Sequence, residues 1–502
     1  MDSLNSLNFL KTDFVNKLKS EPQEVKFISD QLKINSFEAF DYYYNSVSIN
    51  VNKDNLCAFI CNSSVESIII SFFLILDNTK IIFLSSDQSI KDIKNVFLEN
   101  SINEVIIFDN ELMNSLIKNF ENKKIVKIQT LNNFIFSKRS NELFFSKFLE
   151  YANTKAEVSI FLSSGSTAKP KLIPLEYKNI NFSYKCIKDE FMTDLDFSRI
   201  ICIHDTSFVI IINFLQAFCA KRKSKVYGID FNNTHLALFI LAKSIKEDSK
   251  DIIITIPSVY LSALKLIENF GITNLEKKSL ISCGEPLTSK LALSYFNKKP
   301  NNFLNLYGST ELASWVLSLD VLNYLEKRAV PSSILPAGRP LRGMNLELGQ
   351  NNELLVNSDC VFNGYLNNSN NDTYKEIDSQ IFFRTGDQFS VFDDLYNCQG
   401  RLNNALKIGG RFINPIILES QLKSSYDFQN VLIISDNRNL VLRVFLFISK
   451  IQKELFTKET IKTKMYQNIS NKINLKIQFV YEKPKSLRSG KIDRKYYANL
   501  DL

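Results

Sequence analysis

A β-prone run, Val158–Leu162, leads into Ser163-Ser164-Gly165-Ser166-Thr167-Ala168-Lys169-Pro170-Lys171. That segment offers backbone N–H groups, several hydroxyls and a closing ammonium, the donors that bind a polyphosphate even without a Walker lysine. Read alone, such a segment is more often an ordinary hydroxyl-rich loop. Four further groups have chemical potential: Glu311 in LYGSTEL, Asp387 in FRTGD, Lys491 in SGKIDR and Asp205 in HDTSF. Taken singly, Glu311 and Asp387 read as surface carboxylates, and Lys491 as one charge in a lysine-rich tail.

The glycines single these segments out. Only fourteen occur in 502 residues, none before Gly165, where usage near 7% is typical. In a composition rich in Asn, Ile, Lys and Phe, the glycines that remain are expected where no side chain fits. No GxxxxGK[ST] or GxGxxG can be written with them, which argues against nucleotide binding by either of those routes. With only His204 and His235, a histidine-rich metal site or a histidine-driven hydrolase is not expected. The cysteines at 57, 61, 186, 202, 219, 283, 360 and 398 form no CxxC and read as reduced thiols of a cytoplasmic protein. The start, MDSLNSLNFLKTDF, lacks the signature of a secretory leader. The greasiest runs, Ser67–Leu76 and Phe208–Phe218, are about half the length of a membrane span.

Charge is uneven. Residues 403–502 carry 18 Lys and Arg against 8 Asp and Glu, and residues 1–402 carry 43 against 45, so the net +8 lies wholly in the last hundred residues. Either this is a solvated surface or it is a mobile module that meets an anionic partner. No basic motif interleaved with aromatics points to nucleic acid.

The elements that must position these residues follow from periodicity. Leu56–Cys61, Ile81–Leu84, Glu104–Phe108 and Ile125–Ile128 read as strands; Val65–Leu76, Ile90–Leu98 and Leu112–Phe120 read as the helices between them. After Val158–Leu162, a helix is expected near Glu176–Phe191 and a buried strand at Ile200–Ile203. Glycine and proline cluster between Gly284 and Pro415, where Glu353–Asn357 and Gln380–Arg384 suggest antiparallel strands. The expected class is α/β: a large N-terminal domain of parallel βαβ sheets with a small antiparallel part, over 1–402, and a small mobile α+β lid over 403–502.

Eight segments stand in a telling order: LSSGSTAKPK at 162–171, CGEPL at 283–287, LYGSTEL at 306–312, AGRPL at 337–341, NGYL at 363–366, FRTGD at 383–387, GRLNNALKIGG at 400–410 and SGKIDR at 489–494. In them the chain, from about residue 40 onward, resembles the adenylate-forming superfamily of acyl-CoA synthetases, luciferases and nonribosomal peptide adenylation domains. The resemblance implies a reaction in which a carboxylate and ATP give an acyl-adenylate and pyrophosphate, after which a thiol displaces AMP. It implies ATP and Mg²⁺ as cofactors. Ser163, Ser164, Gly165, Ser166, Thr167 and Lys171 would cradle the β- and γ-phosphates, with Gly284, Glu285, Pro286, Gly308 and Ser309 bordering the nucleotide. Tyr307 would stack on adenine beside Asn305, Thr310 would touch the α-phosphate and Glu311 would hold Mg²⁺, a hard cation that takes few protein carboxylates. Asp387 and Arg401 would bind the ribose. Lys491 would stabilise charge developing on the attacking carboxylate and the α-phosphate, brought in by a lid that pivots at Asn403. Departures are Ala168 for a usual glycine, Asn403 for a usual Asp or Lys, and Ile417 for a carboxylate near a retained Glu419.

For the acid, the same resemblance places Asp205, Thr206, Val209, Ile281, Cys283, Leu306, Ser314 and Trp315 around a pocket. Asp205 falls where amino-acid-activating members pair with the substrate ammonium, and a buried aspartate in a greasy run is costly unless paired. The alternatives are an Asp205 that caps the following helix, and a register one residue off that puts His204 on the site and favours a neutral acid. Cys283 before Gly-Glu and the run YGSTELASW are similar to members that activate D-alanine or β-alanine. With no carrier domain after Lys491, the enzyme is expected to be freestanding, its thiol arriving on a separate carrier protein or, alternatively, on CoA. An acyl-CoA or aryl-CoA synthetase and an inactive adenylate-fold binding protein are the competing readings. No nucleic-acid partner and no membrane span are expected.

Overall fold

The computed structural model describes residues 9–108, 123–136, 141–162, 171–230, 234–328, 334–366, 372–402, 406–408, 411–413, 415–426, 428, 430–436, 441–449, 456–466, 474–482, 484 and 492–500. The expected helix Leu112–Phe120, the loop Ser163–Pro170, Asn403 and Lys491 lie outside the described residues.

Two α/β sheets form the large part. The six-stranded sheet runs in the order Lys124–Ile128, Glu104–Phe108, Leu56–Cys61, Lys80–Ser85, Val158–Leu162, Leu172–Glu176, all parallel except the last pair. The nine-stranded sheet has a parallel centre, Asn302–Ser309, Lys278–Cys283, Asp251–Thr255, Arg199–Cys202, Lys225–Gly228 and Val25–Ile28. Antiparallel strands flank it: Ser314–Asp320 and Arg339–Pro340 at one edge, Lys33–Asn35 at the other. The two greasiest runs of the sequence become helices Val65–Leu76 and Ile210–Ala220, with eleven of twelve and ten of eleven residues buried. Helices apolar all round must be covered on every side. These two belong to one core with strands from both sheets.

The first helix, Phe9–Ser20, belongs to that core as well, through Leu10, Phe14 and Leu18. Lys11 donates from Nζ to the Leu76 carbonyl at 2.7 Å, and Lys17 to the Phe218 carbonyl at 2.6 Å. The two ammoniums thus cap the C-terminal ends of the two buried helices, where carbonyls lack intrahelical partners. Expected helix Glu176–Phe191 is a helix Tyr177–Ile187 that widens into a π-turn at Lys188–Met192. There Tyr184 and Lys188 both donate to Asp13 of the first helix, at 2.7 and 2.6 Å.

A five-stranded antiparallel sheet follows, with Gln380–Phe392 between Glu353–Asn357 and Tyr374–Ile377 and also paired with Leu395–Arg401. The expected short strand at 380–384 therefore continues to Phe392, through Gly386 at φ 69° and a register shift after Gln388. Beyond it, strands Asn430–Asp436, Val441–Phe447 and Asn474–Val480 form a three-stranded sheet. Helices Pro415–Ser425 and Lys458–Tyr466 supply Leu418, Leu422, Ile461 and Met465 to a separate hydrophobic core on this sheet.

Candidate active site

The connections that leave the carboxyl ends of the parallel strands carry several of the candidate residues, the usual place for a ligand crevice in open α/β sheets. Strand Asn302–Ser309 delivers Asn305, Tyr307, Gly308 and Ser309, and a single 3₁₀ turn carries Thr310 and Glu311. The chain reverses at Ala313, φ 50°, and returns as Ser314–Asp320. The reversal is so tight that a Cβ on Gly308 would lie 1.8 Å from the Ser314 carbonyl oxygen. Only glycine fits there.

Tyr307, Asp387 and Arg401 are brought together. The Tyr307 hydroxyl donates to Asp387 Oδ2 at 2.7 Å, and Arg401 Nε pairs with Asp387 Oδ1 at 2.7 Å. Asp387 and Arg401 face each other across paired strands. Burial first, and then the neighbouring carboxylate, push the Tyr307 phenol well above its ordinary pKa; Asp387 raises that of the Arg401 guanidinium. The Tyr307 ring rests edge-on against Phe389, 4.9 Å away. Asn305 donates to the Pro336 carbonyl at 2.9 Å, fixing the AGRPL segment beside the strand.

Glu311 forms a second group. Its Oε1 accepts from the Tyr365 hydroxyl at 3.0 Å, and the Lys171 ammonium lies 4.2 Å from the centre of the Tyr365 ring. Burial, then the Glu311 charge, raise the Tyr365 phenol. Gly284, at φ 75°, Glu285 and Pro286 make the turn after strand Lys278–Cys283. Glu285 accepts from the Ser258 backbone N–H at 3.0 Å, and its charge reaches Lys423 of helix Pro415–Ser425. The Ser309 hydroxyl is buried with no partner among the described residues. An orphaned hydroxyl, a side-chain-free bend at Gly308 and a carboxylate bonded through one oxygen fit a bound nucleotide and a hard cation.

The acid side is built differently. Ile281, Cys283, Leu306 and Trp315 all belong to the core between the sheets, with Val209 packed against it. Trp315 is buried, 6.3 Å from the Phe191 ring. Thr206 and Asp205 point their bonds elsewhere: Thr206 Oγ1 meets Ser67 Oγ at 2.8 Å and donates to the Asn62 carbonyl at 3.0 Å. Asp205 accepts from Ser85 Oγ and from the Ser207 N–H, both at 2.8 Å. The bond to Ser207 is a turn two residues long, ahead of a helix that begins at Ile210, so Asp205 caps that turn and not the helix terminus. Burial raises the Asp205 carboxyl against the opposing pull of those two bonds, and among the described residues no cationic side chain pairs with it. Its neighbour His204 bonds Thr255 Oγ1 through Nε2 at 2.7 Å, and burial lowers its pKa to about 4, leaving a neutral imidazole.

Sequence reasoning missed Tyr365, although it lies within NGYL, and Asn213, which donates to Ser314 Oγ. A carboxamide inside the run IIINFLQAF was the available signal.

Set against known proteins, the chain matches the model of a family described as AMP-binding enzyme over residues 48–366. A D-alanine–D-alanyl carrier protein ligase of Staphylococcus epidermidis is 22% identical over 355 residues, 68% of this chain and 71% of that protein. A 4-coumarate–CoA ligase-like 1 of Arabidopsis thaliana is 26% identical over 285 residues, 54% of this chain and 52% of that protein. Among solved structures, o-succinylbenzoate coenzyme A synthetase of Bacillus subtilis, in complex with ATP and magnesium ion, superposes with a TM-score of 0.74 at 15% identity, over 98% of this chain and 99% of that one. That likeness is one of fold. Among the described residues no helix is long and apolar enough to cross a membrane.

Proposed function

The chain belongs to the AMP-binding enzyme family, and from that premise we propose that it activates an amino acid as its aminoacyl-adenylate and passes it to a phosphopantetheine thiol of a separate carrier protein. The general activity, AMP-forming acid–thiol ligation, comes with the family and with ligase relatives. The amino-acid reading is carried by Asp205, a partly buried carboxylate that lacks a cationic partner among the described residues. A substrate ammonium would supply that partner. The small-substrate and carrier readings are supported by the D-alanyl carrier protein ligases of Staphylococcus epidermidis and Listeria monocytogenes among its relatives.

In the proposed reaction a carboxylate oxygen of the acid bonds to the α-phosphorus of ATP as pyrophosphate leaves; a thiol sulfur then bonds to the carbonyl carbon as AMP leaves. Asp387 and Arg401 hold the ribose, Tyr307 and Asn305 flank the base, and Thr310 meets the α-phosphate. Glu311, steadied by Tyr365, would hold Mg²⁺, which supplies charge neutralisation on the phosphates when bound. Ser163–Thr167 and Lys171 take the terminal phosphates, and Lys491 bridges carboxylate and α-phosphate once residues 403–502 close as a lid about Asn403. The basic surplus of that last stretch suits an anionic thiol carrier.

One observation favours a neutral acid and CoA instead: Asp205 already accepts two hydrogen bonds, and the neutral His204 stands beside it. A pyrophosphate-exchange screen across amino, aryl and fatty acids separates the readings. Exchange driven by an amino acid is expected; exchange driven only by neutral acids would overturn the proposal.

A further inference from the structure

Helix Ile210–Ala220 carries two buried carboxamides, Asn213 and Gln216, in a run otherwise of Ile, Phe, Leu, Ala and Cys. Such groups are costly there unless they are bonded. They form one directed chain. Gln216 Nε2 donates to Ser183 Oγ at 3.3 Å, Asn213 Nδ2 donates to Gln216 Oε1 at 3.1 Å, and the same Nδ2 donates to Ser314 Oγ. Both amide protons of Asn213 are used. Ser314 therefore accepts, and its own hydroxyl proton remains to be donated; among the described residues no bond consumes it.

The backbone at Ser314 is constrained as well. It stands at φ 144° directly after Ala313 at φ 50°, and consecutive non-glycine residues at positive φ persist only where their surroundings fix them. Its carbonyl is the atom that excludes a side chain from Gly308, and it pairs with Ser309 across the hairpin. Asn213 lies four residues after Val209, one helical turn along the same face.

We infer that Asn213 is a positioning residue for the acid substrate: it holds the Ser314 oxygen from behind, so that the Ser314 proton is offered to a hydrogen-bond acceptor of the bound acid. The inference rests on the reading above that Val209, Cys283, Leu306 and Ser314 surround the acid. It makes the inner end of that pocket polar in a wall of apolar residues, and it ties the acid pocket to the turn that carries Thr310 and Glu311.

The test uses the full chain and the acid that gives the strongest pyrophosphate exchange. Asn213→Leu and Ser314→Ala are each expected to raise the KM for the acid about tenfold, the loss of one buried hydrogen bond, while the KM for ATP changes less than about twofold. Because both remove the same bond, the double variant should be no worse than the worse single one. Effects that multiply in the double variant, or KM values for acid and ATP that rise together, would overturn the inference. If Asn213→Leu does not fold, Ser314→Ala carries the same split of KM values, and an unchanged acid KM there overturns it too. Wild-type protein that exchanges with no acid at all would instead defeat the underlying reading, and the inference with it.

Discussion

Around Tyr307 the polar side chains bond to one another: phenol to carboxylate, carboxylate to guanidinium, across paired strands. Around Cys283 the walls are apolar core, and the polar groups are bonded behind them, Asp205 to Ser85 and Ser314 to Asn213. The proposed nucleotide half is thus assembled from short segments with little freedom, while the proposed acid half is walled by hydrophobic core with a few polar groups propped at its edges. A nucleotide presents the same polar atoms whatever the acid, so a fixed polar frame can bind it. The acid varies, and apolar walls can be recut without disturbing the frame.

The comparison breaks most visibly at the residue proposed to serve both halves. Lys491→Ala should lower the pyrophosphate-exchange rate roughly 10²- to 10³-fold, the loss of a stabilising charge at the developing transition state, with little change in the melting temperature. A small loss would mean that catalysis lies elsewhere. Gly308→Ala attacks the rigidity of the hairpin that carries Tyr307, Thr310 and Glu311 and that also borders the acid half. The added carbon has to displace the Ser314 carbonyl, so urea unfolding should register a loss of about 1–3 kcal/mol, and ATP should no longer protect the variant against heat.

In the acid half, His204 is neutral because it is buried, with a pKa of about 4. Unfolded, it titrates near 6.5. Between these values the unfolded chain binds more protons, so the contribution of His204 to stability is complete above about pH 6.5 and is lost as pH falls toward 4. His204→Gln should remove roughly 3 kcal/mol of that acid sensitivity in melts recorded from pH 7 to pH 4. Smallest is Tyr365→Phe, which removes one bond to Glu311: a net cost of about 1 kcal/mol, seen as a roughly fivefold rise in the Mg²⁺ concentration that half-saturates ATP binding, with the acid KM unmoved.

Much of the large part could be read in the residues. Leu56–Cys61, Val65–Leu76 and Glu104–Phe108 form as expected, because a buried parallel strand and a buried helix both leave unbroken apolar runs of characteristic length. The strand Gln380–Phe392 was underestimated because a glycine at positive φ and a register shift interrupt its alternation without ending its pairing. The π-turn after Ile187 was not foreseen, since Tyr184 and Lys188 answer to Asp13, more than 170 residues away. The candidate site divides in the same way. Gly308 was legible because a tight bend admits no side chain there, and Glu311 and Asp387 because they stand within short motif segments. Asn213 was not, because its partners sit on other elements at 183 and 314, and only the fold reveals that a polar residue in an apolar helix has a reason to be there.

The proposed amino-acid reading of the acid half rests on Asp205. Pyrophosphate exchange should be measured on wild-type protein and Asp205→Asn, with amino, aryl and fatty acids in parallel and ATP saturating. The amino-acid reading predicts exchange with an amino acid in the wild type, falling about a hundredfold or more in the variant, since a buried charge pair loses one partner. Wild-type exchange with neutral acids only, or exchange with an amino acid that survives Asp205→Asn, would contradict it.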